Sequence, residues 1–177
     1  MSTPRILHVE HQAEIVVLVK DELLAIFPAC EYQQAENAAD FRDALAAFQP
    51  DVIIANHHLP QLDGLALLAD ALAHAPNTPV IILTDSEDVA TAVTYVKAGA
   101  VDFITRDNLR GLETAVRQAW QTKQQKDQQS ARETAESIQA LVGWPLHISP
   151  NLREITPPTA DELAIIREQL DPAGRYR

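Results

Sequence analysis

Cysteine is almost missing from this chain. Cys30 stands alone, so no internal disulfide can close and no thiolate cluster can hold a metal. A basic surplus is missing as well: 14 Lys and Arg face 25 Asp and Glu, a formal net charge of -11. The imbalance is uneven. Residues 1–120 carry 7 basic and 17 acidic side chains, and residues 121–177 carry 7 and 8. Neither part offers the cationic face that binding a phosphate backbone requires, which argues against direct nucleic-acid binding. No apolar run approaches the roughly 18 residues of a membrane span, and no charged-then-apolar export signal opens the chain. A cytosolic protein with no membrane partner is therefore expected. There is also no nucleotide loop, catalytic-triad spacing or cofactor fingerprint.

What is present is a regular alternation. Hydrophobic residues make up 46% of the chain against 22% charged, enough apolar material for a folded core. Its 177 residues hold one ordinary domain and an appendage. Short apolar runs fall at Arg5–Val9, Cys30–Ala35, Asp51–Ala55, Pro79–Leu83 and Val101–Thr105. Several are β-branched and nearly continuous, as strands buried on both faces should be. Between them, Gln12–Phe27, Ala38–Phe48, Gly64–Ala75 and Glu87–Ala98 carry apolar residues at helical spacing. Pro28, Pro50 and Gly99 punctuate the ends. Five β-then-α repeats predict an α/β fold: a doubly wound, flavodoxin-like, five-stranded parallel sheet in order 2-1-3-4-5. Two helices should lie on one face and three on the other, with no antiparallel strand before residue 105.

The last helix of this body begins near Asn108 and carries Leu112, Ala115, Val116, Ala119 and Trp120 on one side. Helix formers then continue through residues 121–129, and Ala131, Ala135, Ile138 and Val142 resume an apolar spacing. This reads as a helical extension over 121–142, either a solvated linker or a stripe seeking a partner helix. Pro145, Pro150, Pro157 and Pro158 mark a tail over 143–177. Within it a capping-box pattern at Thr159–Glu162 precedes a short helix around Leu163–Leu170.

In an open parallel sheet, ligands bind at the carboxyl ends of the strands. Here those ends supply Glu10 and His11, then Asn56, His57 and His58, then Thr84 and Asp85, then Arg106 and Asp107. With Leu59-Pro60 before Asp63-Gly64, and Ala98-Gly99-Ala100 before Asp102-Phe103, residues 4–120 resemble the receiver domain of bacterial response regulators. The run Arg106-Asp107-Asn108-Leu109 also resembles receivers that precede sensor or cyclase modules.

The resemblance implies phosphoryl transfer to a carboxylate, assisted by a divalent ion, a hydroxyl and an ammonium. Its acidic pair falls on Glu10 and His11, its phosphoacceptor on Asn56, its hydroxyl on Thr84, its switch aromatic on Phe103 and its lysine on Arg106. Asn56 is the decisive departure, because a carboxamide lacks the anionic oxygen that forms an acyl phosphate. His11 and Asn56 also remove two charges that would hold Mg²⁺. Arg106 should fill the pocket and pair with Glu10 or Asp85.

The expected function is thus a phosphorylation-independent regulatory module, not an enzyme. It would act on a protein partner or as a homodimer through the last helix and its extension, with neither metal nor cofactor. Two other readings stay open: a small-ligand or metal-binding protein or enzyme with a repurposed pocket, and a phosphoreceiver using Asp63 or Asp85. His8, His11, His57 and His58 raise the metal question. However, His8 and His11 straddle a strand end, and His57 and His58 are expected to point to opposite sides of a loop. Trp120 and Trp144 are read as packing residues.

Overall fold

The computed structural model of the chain describes residues 3–59, 62–84 and 89–141. The 143–177 tail, Trp144, Asp85 and the segment 85–88 lie outside them. The chain divides into two compact units, residues 1–127 and 128–177.

The first unit is built on β1 (Arg5–Val9), β2 (Glu31–Ala35), β3 (Val52–Asn56), β6 (Val80–Thr84) and β7 (Asp102–Thr105). Two very short strands, β4 (His58–Leu59) and β5 (Leu62–Asp63), lie between β3 and β6 in sequence. The sheet runs β2-β1-β3-β6-β7 with every pairing parallel. Counting only its own members, that is the expected order 2-1-3-4-5. β4 and β5 pair antiparallel, outside the sheet, which corrects the expectation of no antiparallel strand before residue 105. Two residues per strand leave no apolar alternation for a sequence to display.

Side-chain alternation splits the sheet into two faces. Leu7, Val9, Ile53, Ala55, Val80 and Ile82 face one helical layer. It comprises α2 (Ala38–Ala47), α3 (Gly64–His74) and α4 (Val89–Lys97), which contribute Phe41, Leu67, Leu68 and Tyr95 among others. Ile6, Val52, Ile54, Ile81, Leu83 and Ile104 face the other. That layer holds α1 (Ala13–Ile26) and α5 (Leu112–Leu141), with Val19, Leu23, Leu112 and Val116 buried beneath them. Three helices on one side and two on the other agree with the sequence. A slip of one residue in any central strand would exchange these faces, so the register is fixed by burial on both sides. Trp120 packs edge-on against Phe27, with ring centroids 6.2 Å apart.

Caps set the helix starts. The Asn37 side chain accepts hydrogen bonds from the N–H groups of Ala39 and Asp40 at 2.9 and 3.0 Å, and Asp63 accepts from Leu65 at 3.3 Å, satisfying donors that each first turn leaves unpaired. A 3-10 turn at Leu109–Gly111 precedes α5, so the regular helix starts later than Asn108. In the second unit the described residues are the helical stretch 128–141, where Ala131 is buried and Ile138 is 47% exposed. Val142, the last member of the expected stripe, lies outside the described residues.

Gly64 sits where a side chain has no room. A Cβ there would meet the Tyr95 hydroxyl and stand 2.8 Å from the His57 carbonyl oxygen. Gly111 has open space around it. Gly64→Ala is expected to cost about 1–3 kcal/mol through overpacking. Gly111→Ala should be neutral or slightly stabilising. Urea unfolding of the two variants beside the wild type checks the contrast.

Candidate functional site

The carboxyl ends of β1, β3 and β7 converge on one side chain. Glu10, one residue past β1, is fully buried, and its carboxylate is surrounded by donors. Oε1 accepts from the backbone N–H groups of His11 at 2.9 Å and Gln12 at 3.0 Å, and from Asn56 Nδ2 at 3.1 Å. His11 Nδ1 lies 3.2 Å from the same oxygen. Oε2 faces a terminal guanidinium nitrogen of Arg106 at 3.4 Å. The position at the start of α1 adds a helix amino terminus to this positive surround.

Asn56 is also fully buried, and both ends of its amide are used. Nδ2 donates to Glu10, and Oδ1 accepts from the His58 N–H at 3.0 Å. A carboxylate in its place could keep the second bond but not the first. It would set two anionic groups face to face in a buried site, where like charges raise each other's pKa. The amide is therefore part of the packing of the pocket.

Arg106 reaches from beyond β7 over the strand ends, its side chain only 10% exposed. Besides Glu10 it donates to Gln12 Oε1 at 3.4 Å. Of the two carboxylates expected to receive it, Glu10 does so, and Asp85 lies outside the described residues. Thr84 is buried at the end of β6, and Phe103 is half-buried against the layer of α2, α3 and α4. The structure thus joins Glu10, His11, Asn56 and Arg106 by direct contact. It puts Thr84 at the same sheet edge and directs Phe103 into one of the cores.

His8 and His11 straddle the end of β1 as expected, His8 inside the strand and fully buried and His11 beyond it. His8 Nδ1 is 2.8 Å from the Tyr32 hydroxyl, with Lys20 Nζ 5.3 Å from the centre of the Tyr32 ring. One expectation about histidines needs correction: His57 and His58 do not point apart. Their rings meet edge-on, His57 Nε2 lying 2.9 Å from His58 Nδ1. Adjacent residues point to opposite sides in a regular strand, but β4 begins only at His58, so His57 is free of that rule. Sequence reasoning also missed Gln12 and Gln34, whose side chains contact Arg106 and the Glu10 carbonyl. Neither carries a signal in the sequence, being a polar residue beside a strand end like many others.

A hard divalent cation such as Mg²⁺, which favours oxygen ligands, does not fit this donor set. The buried carboxylate is already taken by N–H donors and a guanidinium, and its neighbour at position 56 is an amide. Among the described residues, no three His, Cys, Asp or Glu side chains converge in a metal-holding group.

Residues 6–117 match the family model of the response regulator receiver domain. The chain belongs to that family. It is 32% identical to the DNA-binding transcriptional regulator NtrC of Proteus hauseri over 61% of this chain and 23% of that protein. It is 36% identical to the transcriptional regulatory protein FixJ of Bradyrhizobium diazoefficiens over 48% of this chain and 43% of that one. The chain thus spans less than half the length of these curated relatives. Among solved structures, a signal receiver domain from Vibrio parahaemolyticus superposes with a TM-score of 0.65 at 26% identity, covering 71% of this chain and 96% of that one. The signal receiver domain of an HD domain-containing protein from Pseudomonas fluorescens Pf-5 gives 0.61 at 29%, covering 69% and 98%. Receiver membership gives the chain a regulatory, signalling role. Among the described residues, no helix is long and apolar enough to cross a membrane.

Burial makes His8 acid-sensitive. Desolvation, and next the nearby Arg106 charge, lower its pKa from 6.5 to about 3, so the folded protein keeps it neutral. Between those values the unfolded chain binds the proton and the folded chain does not, so stability falls as pH drops below 6.5. His8→Gln should remove that contribution. Relative to the variant, the wild type is expected to lose about 1.4 kcal/mol per pH unit below the unfolded pKa. Urea unfolding of both proteins between pH 7.5 and 4.5 checks this.

Proposed function

We propose that this receiver is a phosphorylation-independent, cytosolic regulatory module, in which the residues of the phosphorylation pocket have become a fixed structural cluster. Glu10, His11, Asn56, Thr84, Phe103 and Arg106 are its degenerate pocket. The observation that carries the reading is the Asn56 side chain, buried and donating to Glu10. An amide supplies no anionic oxygen to attack a phosphoryl donor. Its geometry is tied to the carboxylate that would otherwise help to bind the ion. Arg106 adds a cation that leaves little call for a second one. The module works by contact with a protein partner and carries no catalytic residue, metal or cofactor in this pocket.

Full-length protein incubated with acetyl phosphate and Mg²⁺ should show no base-labile gain in intact mass. A phosphoryl group mapped to Asp63 or Asp85 would overturn the reading in favour of an ordinary phosphoreceiver.

The reading includes self-association. Residues 1–120 carry a strong acidic excess, which opposes contact between two such bodies, while the segment from 121 onward is nearly neutral. Exposed Ile138 lies in that segment. The stripe is too short to hold a coiled coil by itself, so the dimer needs added area from the α4 and α5 faces or the tail. Light scattering should find a homodimer for the full chain and a folded monomer after truncation at Trp120. An unchanged dimer would put the interface in the body.

A further inference from the structure

The His57–His58 contact lies outside the pocket network, and the proposed function makes no use of it. Two neutral imidazoles can pair, one N–H donating to the other ring's nitrogen. Each has a lone pair that water or a backbone N–H can satisfy, and His58 is exposed to solvent. Yet His57 Nε2 and His58 Nδ1 stand 2.9 Å apart, with the rings inclined at 73°. Metal–nitrogen bonds of about 2.0–2.1 Å at a right angle separate two ligand nitrogens by about 2.8–3.0 Å, whereas a tetrahedral angle needs about 3.3 Å. The observed spacing matches the right angle, the geometry of tetragonal Cu²⁺ and Ni²⁺ sites with nitrogen and oxygen ligands.

From this convergence we propose that His57 and His58 form a two-imidazole site for a late first-row divalent ion, Cu²⁺ or Ni²⁺. His57 binds through Nε2 and His58 through Nδ1, and water fills the remaining positions. The fold holds the pair in place from both sides. The His57 N–H donates to the Leu83 carbonyl at 3.0 Å, which anchors it to β6. His58 pairs with Asp63 in the short antiparallel ladder, bringing a carboxylate-bearing residue alongside. The His58 N–H also donates to Asn56 Oδ1, so an ion at this site braces the loop that holds Asn56. The site is independent of whether the pocket accepts phosphate.

The test is a titration of untagged, chelator-treated full-length protein with CuCl₂ at neutral pH, followed by electron paramagnetic resonance. One tetragonal Cu²⁺ per chain with two imidazole nitrogens is expected. His57→Gln and His58→Gln should each weaken binding by about tenfold or more, while His74→Gln and His147→Gln leave it unchanged. Circular dichroism of the variants separates loss of the site from loss of the fold, and the surface position of His58 makes His58→Gln the decisive variant. Three outcomes overturn the assignment: no saturable binding below about 100 µM, binding indifferent to either substitution, or a spectrum with a single imidazole nitrogen.

Discussion

A carboxylate buried from solvent has to be surrounded by donors, and the neutralisation of Glu10 is the constraint on which the rest of this pocket depends. Removing an ion from water costs several kcal/mol even after the protein relaxes. Here the cost is met by two backbone N–H groups at the entrance to α1, the amide of Asn56, the His11 ring and Arg106. Each contributor comes with an element of structure attached. The backbone donors fix the turn from β1 into α1. Asn56 ties β1 to β3, and the Arg106 side chain links the end of β7 to that of β1. Losing one donor leaves the charge less satisfied, which costs more than the bond itself is worth.

This arrangement joins His11, Asn56 and Arg106 around one carboxylate. An aspartate at position 56 would lose the donation to Glu10 and repel it. A cation bound between two carboxylates could repair that repulsion, but a guanidinium at the same edge already serves the need. The three residues form one electrostatic solution to a buried acid. That is why the proposed loss of phosphotransfer is read from the cluster and not from Asn56 alone.

His8 shows what the fold tolerates behind the pocket. A fully buried imidazole is a poor fit for an apolar face, and it remains neutral because burial and the charge of Arg106 both oppose protonation. The Tyr32 hydroxyl supplies the partner at Nδ1. Burial also pushes the Tyr32 hydroxyl pKa up, and the charge of Glu10 adds to that effect. The polar groups of β1, β2 and the pocket therefore belong to one electrostatic neighbourhood under the sheet edge.

Sheet order, strand ends and the sides taken by the helices were legible in the residues themselves. Runs such as Asp51–Ala55 and Pro79–Leu83 read as buried on both faces, and helices of one apolar face can cover them in few ways. The place where polar side chains gather was legible too, because strand carboxyl ends are where such folds collect them. Contacts that depend on side-chain direction outside regular elements were decided only by tertiary structure. His57 and His58 are adjacent in sequence, and the strand rule sends neighbours apart, yet a strand that begins at the second of them lets their rings meet. The β4–β5 ladder was invisible for a similar reason, since two residues make no periodic pattern. Periodicity reports what is repeated along a chain, whereas the His57–His58 convergence occurs once, and packing alone sets its distance.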